Sequence, residues 1–141
     1  SSRIQKHSEQ LVRDYGIKTP DLITATGKLS GSNIQRLIMA REITRRPQVL
    51  IASYPTRGLD IGAAEYVHEM LLAASQAGMG IILISEELDE VQKLSDRVAV
   101  FFDGRIMDIL PADAADEKTL GLLMAGLTPT TDPMAEAGME G

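Results

Sequence analysis

The sequence predicts an α/β fold, and the prediction rests on two patterns. Two short runs that are almost wholly apolar, Val49 to Ala52 and Gly80 to Ile84, flank the segment Gly62 to Ala77, in which Ala63, Val67, Met70, Leu71 and Ala74 share one helical face. Strand, helix, strand in that order is the arrangement of a parallel crossover. Further on, two more apolar runs meet at Asp103-Gly104, the dipeptide of a tight hairpin.

Taken in order, Arg3 to Tyr15 is predicted to be a helix with sparse apolar positions (Ile4, Leu11, Val12), stopped by Gly16. Ile17 to Gly27, with Pro20, Thr24 and Thr26, is predicted to be an extended connection. Ser30 then caps a helix whose apolar side is expected to run through Ile34, Leu37, Ile38 and the stem of Arg41; Arg45-Arg46 suit its C-terminal dipole and Pro47 closes it. The runs at Val49 and Gly80 are apolar enough to predict strands covered on both faces. A helix is expected directly after Ser85, with Glu86, Glu87 and Asp89 in its first turn. The hairpin spans Arg97 to Phe102 and Arg105 to Ile109, and a last helix runs from Asp116 to Ala125. Thr128 to Gly141, rich in Thr, Pro, Gly and Glu, is predicted to be disordered.

Bulk properties narrow the possible functions. A chain of 141 residues suits one ordinary core. Twenty acidic against fourteen basic residues give a formal net charge of -6, which opposes attraction to nucleic acid, so no nucleic-acid partner is expected. With no cysteine, thiolate metal sites are excluded. No apolar run reaches the roughly 18 residues of a membrane span, so no direct membrane insertion is expected. His7 and His68 lie on different predicted helices without a catalytic arrangement and are read as surface residues; Met70, Met79, Met107 and Met124 are read as core filling.

The stretch with the clearest chemistry is "KLSGSNIQRLIMARE", Lys28 to Glu42, in which small residues lead into a helix. Such a start presents bare backbone amides and a partial positive charge to an anion. Taken alone, "LSGSN" is equally an ordinary helix cap with a glycine.

Together, "LSGSNIQRLIMAREI", "QVLIASYPTRGLDIGA", "IILISEELDEVQKLSDRVAVFFDGRI" and "LGLLMAG" resemble the nucleotide-binding subunit of ATP-binding cassette (ABC) transporters. More narrowly, the chain is similar to the second, C-terminal cassette of bacterial importers of sugars and nucleosides, over about residues 12 to 127. The resemblance implies a partial P-loop NTPase (RecA-like) core with a mostly parallel sheet and flanking helices. It divides the chain into the end of the helical subdomain and a connection (1–28), the signature helix and C-terminal part of the ATPase core (29–127), and a tail (128–141).

By the same resemblance, Leu29, Ser30, Gly31, Ser32 and Asn33 correspond to the signature Leu-Ser-Gly-Gly-Gln, with Ser32 for the second glycine and Asn33 for the glutamine. Ser30, Gly31, Ser32 and Asn33 are therefore expected to contact ATP. Asp60 matches the aspartate of the D-loop at the dimer interface, although it also suits a cap for the helix beginning near Gly62. Where the family has an aspartate for magnesium and a glutamate for the attacking water, this chain has Ser53 and Tyr54, and its counterpart of the sensor histidine is Glu86, whose simpler reading is a helix-start acid. No GxxxxGK[ST] phosphate loop occurs in the sequence.

The expectation is thus a piece of a longer protein, with a degenerate site, that does not hydrolyse ATP or bind it well alone. ATP with Mg2+ is implied for the complete assembly only, and no catalytic or metal-ligating residue is assigned here. The implied partners are the N-terminal cassette of the same or another chain and transmembrane permease subunits, at the cytoplasmic face of the cell membrane. "YPTRGLD" looks closer to the nucleoside type than to the sugar type. Two other readings remain open: a docking or regulatory α/β module that has lost catalysis, and a small flavodoxin-like enzyme for which no catalytic constellation is visible.

Overall fold

The computed structural model describes residues 2–128, so the segment expected to be a disordered tail lies, apart from Thr128, outside the described residues. The chain forms two compact units, Ser1–Ile84 and Ser85–Gly141.

The first unit contains α1 (Ser2–Asp14), α2 (Gly31–Thr44), β1 (Val49–Ser53), α3 (Ile61–Gln76) and β2 (Gly80–Ile84). β1 and β2 pair in parallel, with Val49 opposite Gly80 and Ser53 opposite Ile84, so the crossover read from the sequence is present. α3 buries Ala63, Val67, Leu71 and Ala74, four of the five positions expected; each of the larger side chains contributes about 1.5–3 kcal/mol on leaving water. Gly16 ends the first helix in the left-handed conformation at φ 57°, with Ile17 N–H donating to the carbonyl of Val12. The connection beyond it is not uniformly extended. Asp21 Oδ1 accepts from Ile23 N–H and Thr24 Oγ1, and Thr26–Lys28 form one 3-10 turn.

Three further expectations in this unit need correction. The strands are not covered on both faces: Val49, Ile51 and Ile82 remain 56%, 65% and 52% exposed, while Ala52 is buried and Leu50, Ile81 and Leu83 are half-buried. A strand's two-residue period separates these sets, and α3 packs on β2 within this unit. The inward side of α2 is also not the one expected. Met39 and Ala40 are buried and Ile38 is exposed, which puts the inward stripe at Arg36, Met39, Ala40 and Ile43. Finally, His68 is half-buried rather than on the surface.

The second unit consists of α4 (Leu88–Leu94), the antiparallel pair β3 (Arg97–Phe102) and β4 (Arg105–Pro111), and α5 (Glu117–Met124). The hairpin expected at this dipeptide turns at Asp103 and Gly104, both at positive φ (46° and 72°), as a type I′ turn requires. Val98, Val100, Ala115, Leu120 and Leu123 form its core. Asp116 caps α5 through bonds from Thr119 N–H and Oγ1. At the other end Gly126 N–H and Leu127 N–H donate to the carbonyls of Leu123 and Leu122, closing the helix with a left-handed glycine. α4 starts later than expected. Ser85 Oγ accepts from Glu87 N–H, the first-turn acids are Asp89 and Glu90, and Glu86 precedes the helix.

Candidate functional site

The residues singled out by the sequence, Ser30 to Asn33 and Asp60, all belong to the first unit, where two helix starts hold them. Ser30 is extended at φ -66° and ψ 157°, the geometry of an N-cap, and its Oγ accepts the amide of Asn33 at 3.4 Å. The same oxygen accepts Asn33 Nδ2 at 2.9 Å and lies 3.2 Å from Ser32 Oγ. With two N–H groups donating to it, the Ser30 hydroxyl keeps its own proton to donate. Gly31 opens the helix, and a Cβ built there would meet nothing within 4 Å. The glycine is therefore not required by the chain's own packing, and it leaves the helix start accessible.

Asp60 stands on another element. Its Oδ1 accepts Ala63 N–H at 2.9 Å, so it caps α3, as its simpler reading required. The first turns of α2 are tied to the segment that follows β1 by Gln35 Nε2, which donates to the carbonyl of Pro55 at 2.8 Å.

Ser53 ends β1 and Tyr54 follows it. Tyr54 N–H extends the parallel ladder to the carbonyl of Ile84 at 2.8 Å, while its φ of 47° turns the chain out of the strand. The Arg57 guanidinium lies 5.6 Å from the centre of its ring. A hydroxyl and a phenol at these positions do not fit a magnesium site of carboxylate oxygens. Among the described residues, no group of three or more His, Asp or Glu is arranged to hold a metal ion.

Sequence reasoning missed the side chains that brace this helix from behind. Arg36 Nη1 donates to the carbonyl of Tyr15 at 3.3 Å, Tyr66 Oη donates to the same oxygen at 3.0 Å, and the Arg36 guanidinium stacks 3.7 Å above the Tyr66 ring. Burial raises the Tyr66 pKa, with the Arg36 charge acting against it. Asn33, three residues before Arg36, takes the amide of Lys18 on its Oδ1 at 2.8 Å. The available signal was spacing, because Asn33, Arg36, Ala40 and Ile43 lie along one side of the helix.

The fold has the architecture of an ATP-binding cassette. Solved cassettes align with it at 18% identity: MJ0796, in a dimer bound to ADP and Pi, over 76% of this chain and 46% of its own (TM-score 0.64), and MJ1267 over 86% and 48% (TM-score 0.69). No family model matches the chain. At the level of sequence it is 48% identical over 123 residues to a guanosine import ATP-binding protein of Bacillus subtilis, covering 87% of this chain and 24% of that protein. It is 42% identical to a nucleoside import ATP-binding protein of Lactococcus lactis (89% and 25%) and 38% identical to a ribose import ATP-binding protein of Rubrobacter xylanophilus (88% and 25%). The chain belongs to the ATP-binding cassette family, is similar to the ATP-binding subunits of ABC importers, and spans about a quarter of the length of the relatives it matches.

Proposed function

We propose that this chain supplies the signature face of a cassette: Ser30, Gly31 and Ser32 contact the terminal phosphates of ATP seated on a partner cassette, and closure around that nucleotide drives solute uptake. The observation that carries the reading is the start of α2, where a capped helix offers free amides and a hydroxyl left to donate beside a glycine with open space around it. A triphosphate fits these donors. Its magnesium does not fit Ser53 and Tyr54, so the metal and the attacking water belong to the partner. Asn33 and Asp60 complete the candidate set at the two helix starts, and 1–28 is read as the end of the helical subdomain. The partner is a cassette carrying the phosphate loop, in the same or another polypeptide, together with permease subunits at the cytoplasmic face of the membrane. A nucleoside or sugar is the proposed solute, and the relatives named for guanosine and nucleoside import favour the nucleoside.

The test is MgATP hydrolysis by a phosphate-loop cassette titrated with this chain. Stimulation that is abolished by Ser30→Arg or Gly31→Asp is the expected result; equal turnover with the wild-type chain and both variants would remove the signature role. Ser53 and Tyr54 favour a second reading, a docking module without catalysis. Binding to the cassette without any stimulation would select it.

A further inference from the structure

We propose that Asn33 is a positioning residue for Ser30 rather than a ligand of the nucleotide. The inference rests on the signature role proposed above and assigns one member of that site a different task.

A backbone N–H can only donate, so the bond from the Lys18 amide at 2.8 Å requires that the atom facing it be Oδ1 of Asn33. That fixes the orientation of the carboxamide. Nδ2 then lies on the other side, 2.9 Å from Ser30 Oγ, and donates to it. Together with the backbone amide of Asn33, this gives the Ser30 oxygen two donors and leaves its O–H as the outgoing bond. Ser32 Oγ, at 3.2 Å, is an acceptor for that proton before a phosphate arrives. Asn33 thus sets the direction in which Ser30 donates, and both of its polar ends are engaged within the chain.

The far end of this relay is anchored. Lys18 follows the buried Ile17, and the carbonyl of Tyr15 is held by both Arg36 and Tyr66. Gly16 between them is left-handed, and a Cβ there would come within 3.2 Å of Arg36 Nη1. The backbone at 15–18 is therefore fixed against the helix that carries Ser30. The reach from Lys18 N to Ser30 Oγ matches one asparagine. Glutamine carries the same groups on one more methylene, which displaces one bond or the other.

The experiment is a double-mutant cycle in the stimulated ATPase assay, with MgATP as substrate and a phosphate-loop cassette as partner. Ser30→Ala and Asn33→Ala are each expected to lower maximal stimulation about tenfold, the scale of one charge-assisted hydrogen bond. The double variant is expected to lose no more than either single variant, because Asn33 acts through the Ser30 hydroxyl. Asn33→Gln, which keeps helix propensity and the amide chemistry, is expected to lose activity to a similar extent at unchanged thermal stability, and it carries the test if Asn33→Ala fails to fold. A purely structural role would lower stability and not single out Ser30. Multiplicative losses of about a hundredfold in the double variant, or full activity of Asn33→Gln, would overturn the inference while leaving the signature role standing. No effect of Ser30→Ala would overturn the signature role itself.

Discussion

Replacing Gly31 with alanine separates what the chain needs to fold from what its site needs to function. Gly31 is the first residue of α2, its φ is not positive, and an added methyl meets nothing within 4 Å. Exchanging glycine for alanine in a helix gains about 0.5–1 kcal/mol, and the gain at a first turn lies near the bottom of that range. A gain of about 0.5 kcal/mol corresponds to a rise of about 1–2 °C in melting temperature for a chain of this size. If a phosphate of the partner's nucleotide approaches this backbone, the same methyl intrudes at the closest point. Stimulated ATPase is then expected to fall at least about tenfold, equivalent to about 1.4 kcal/mol. Thermal melts of the chain and ATPase titrations with the phosphate-loop cassette measure the two halves. A variant that melts lower, or one that stimulates as well as wild type at saturating chain, would refute the reasoning.

Gly126→Ala is expected to destabilise the second unit by well over 1 kcal/mol in urea unfolding, because the position is left-handed at φ 80° and an added Cβ falls 2.5 Å from Phe102 Cε1. Hydrogen bonds from Thr119 hold the Asp116 carboxyl below its ordinary pKa. A lowered folded value contributes stability that is present above the unfolded pKa, near 4, and is lost as pH falls through the folded value, so Asp116→Asn is expected to flatten the acid limb of a stability-against-pH curve below about pH 4. The exposed apolar side of the parallel pair is expected to make the chain associate as its concentration rises, and Ile51→Lys with Ile82→Lys is expected to reduce that association in sedimentation velocity.

Elements with a strong local cause were legible in the sequence. Asp103-Gly104 specifies its turn because both positions need positive φ, and Asp116 and Ser30 specify helix starts because their side chains can accept a third-residue amide. The side of α2 that faces inward was not legible. Ile34, Leu37 and Ile38 have the right period, yet the buried residues are Met39 and Ala40, on the side of the half-buried Arg36, whose charge is accommodated by a carbonyl 21 residues earlier and a tyrosine ring 30 residues later. Hydrophobic period alone does not register such long-range partners. The strand faces were misread for a related reason: an all-apolar run does not say how many layers cover it, and Ile51 and Ile82 stay exposed within this unit. At the site, the resemblance supplied Ser30 to Asn33, but only the geometry shows that both ends of the Asn33 carboxamide are engaged, by the Lys18 amide and by Ser30 Oγ.

The division of nucleotide contacts between two cassettes is tested most directly by calorimetric titration of MgATP into this chain alone, into a hydrolysis-deficient phosphate-loop cassette alone, and into the two together. No binding to the chain alone, with tighter binding to the pair than to the cassette, is the expected result. Saturable micromolar binding of MgATP by the chain alone, or identical affinities with and without it, would contradict the account.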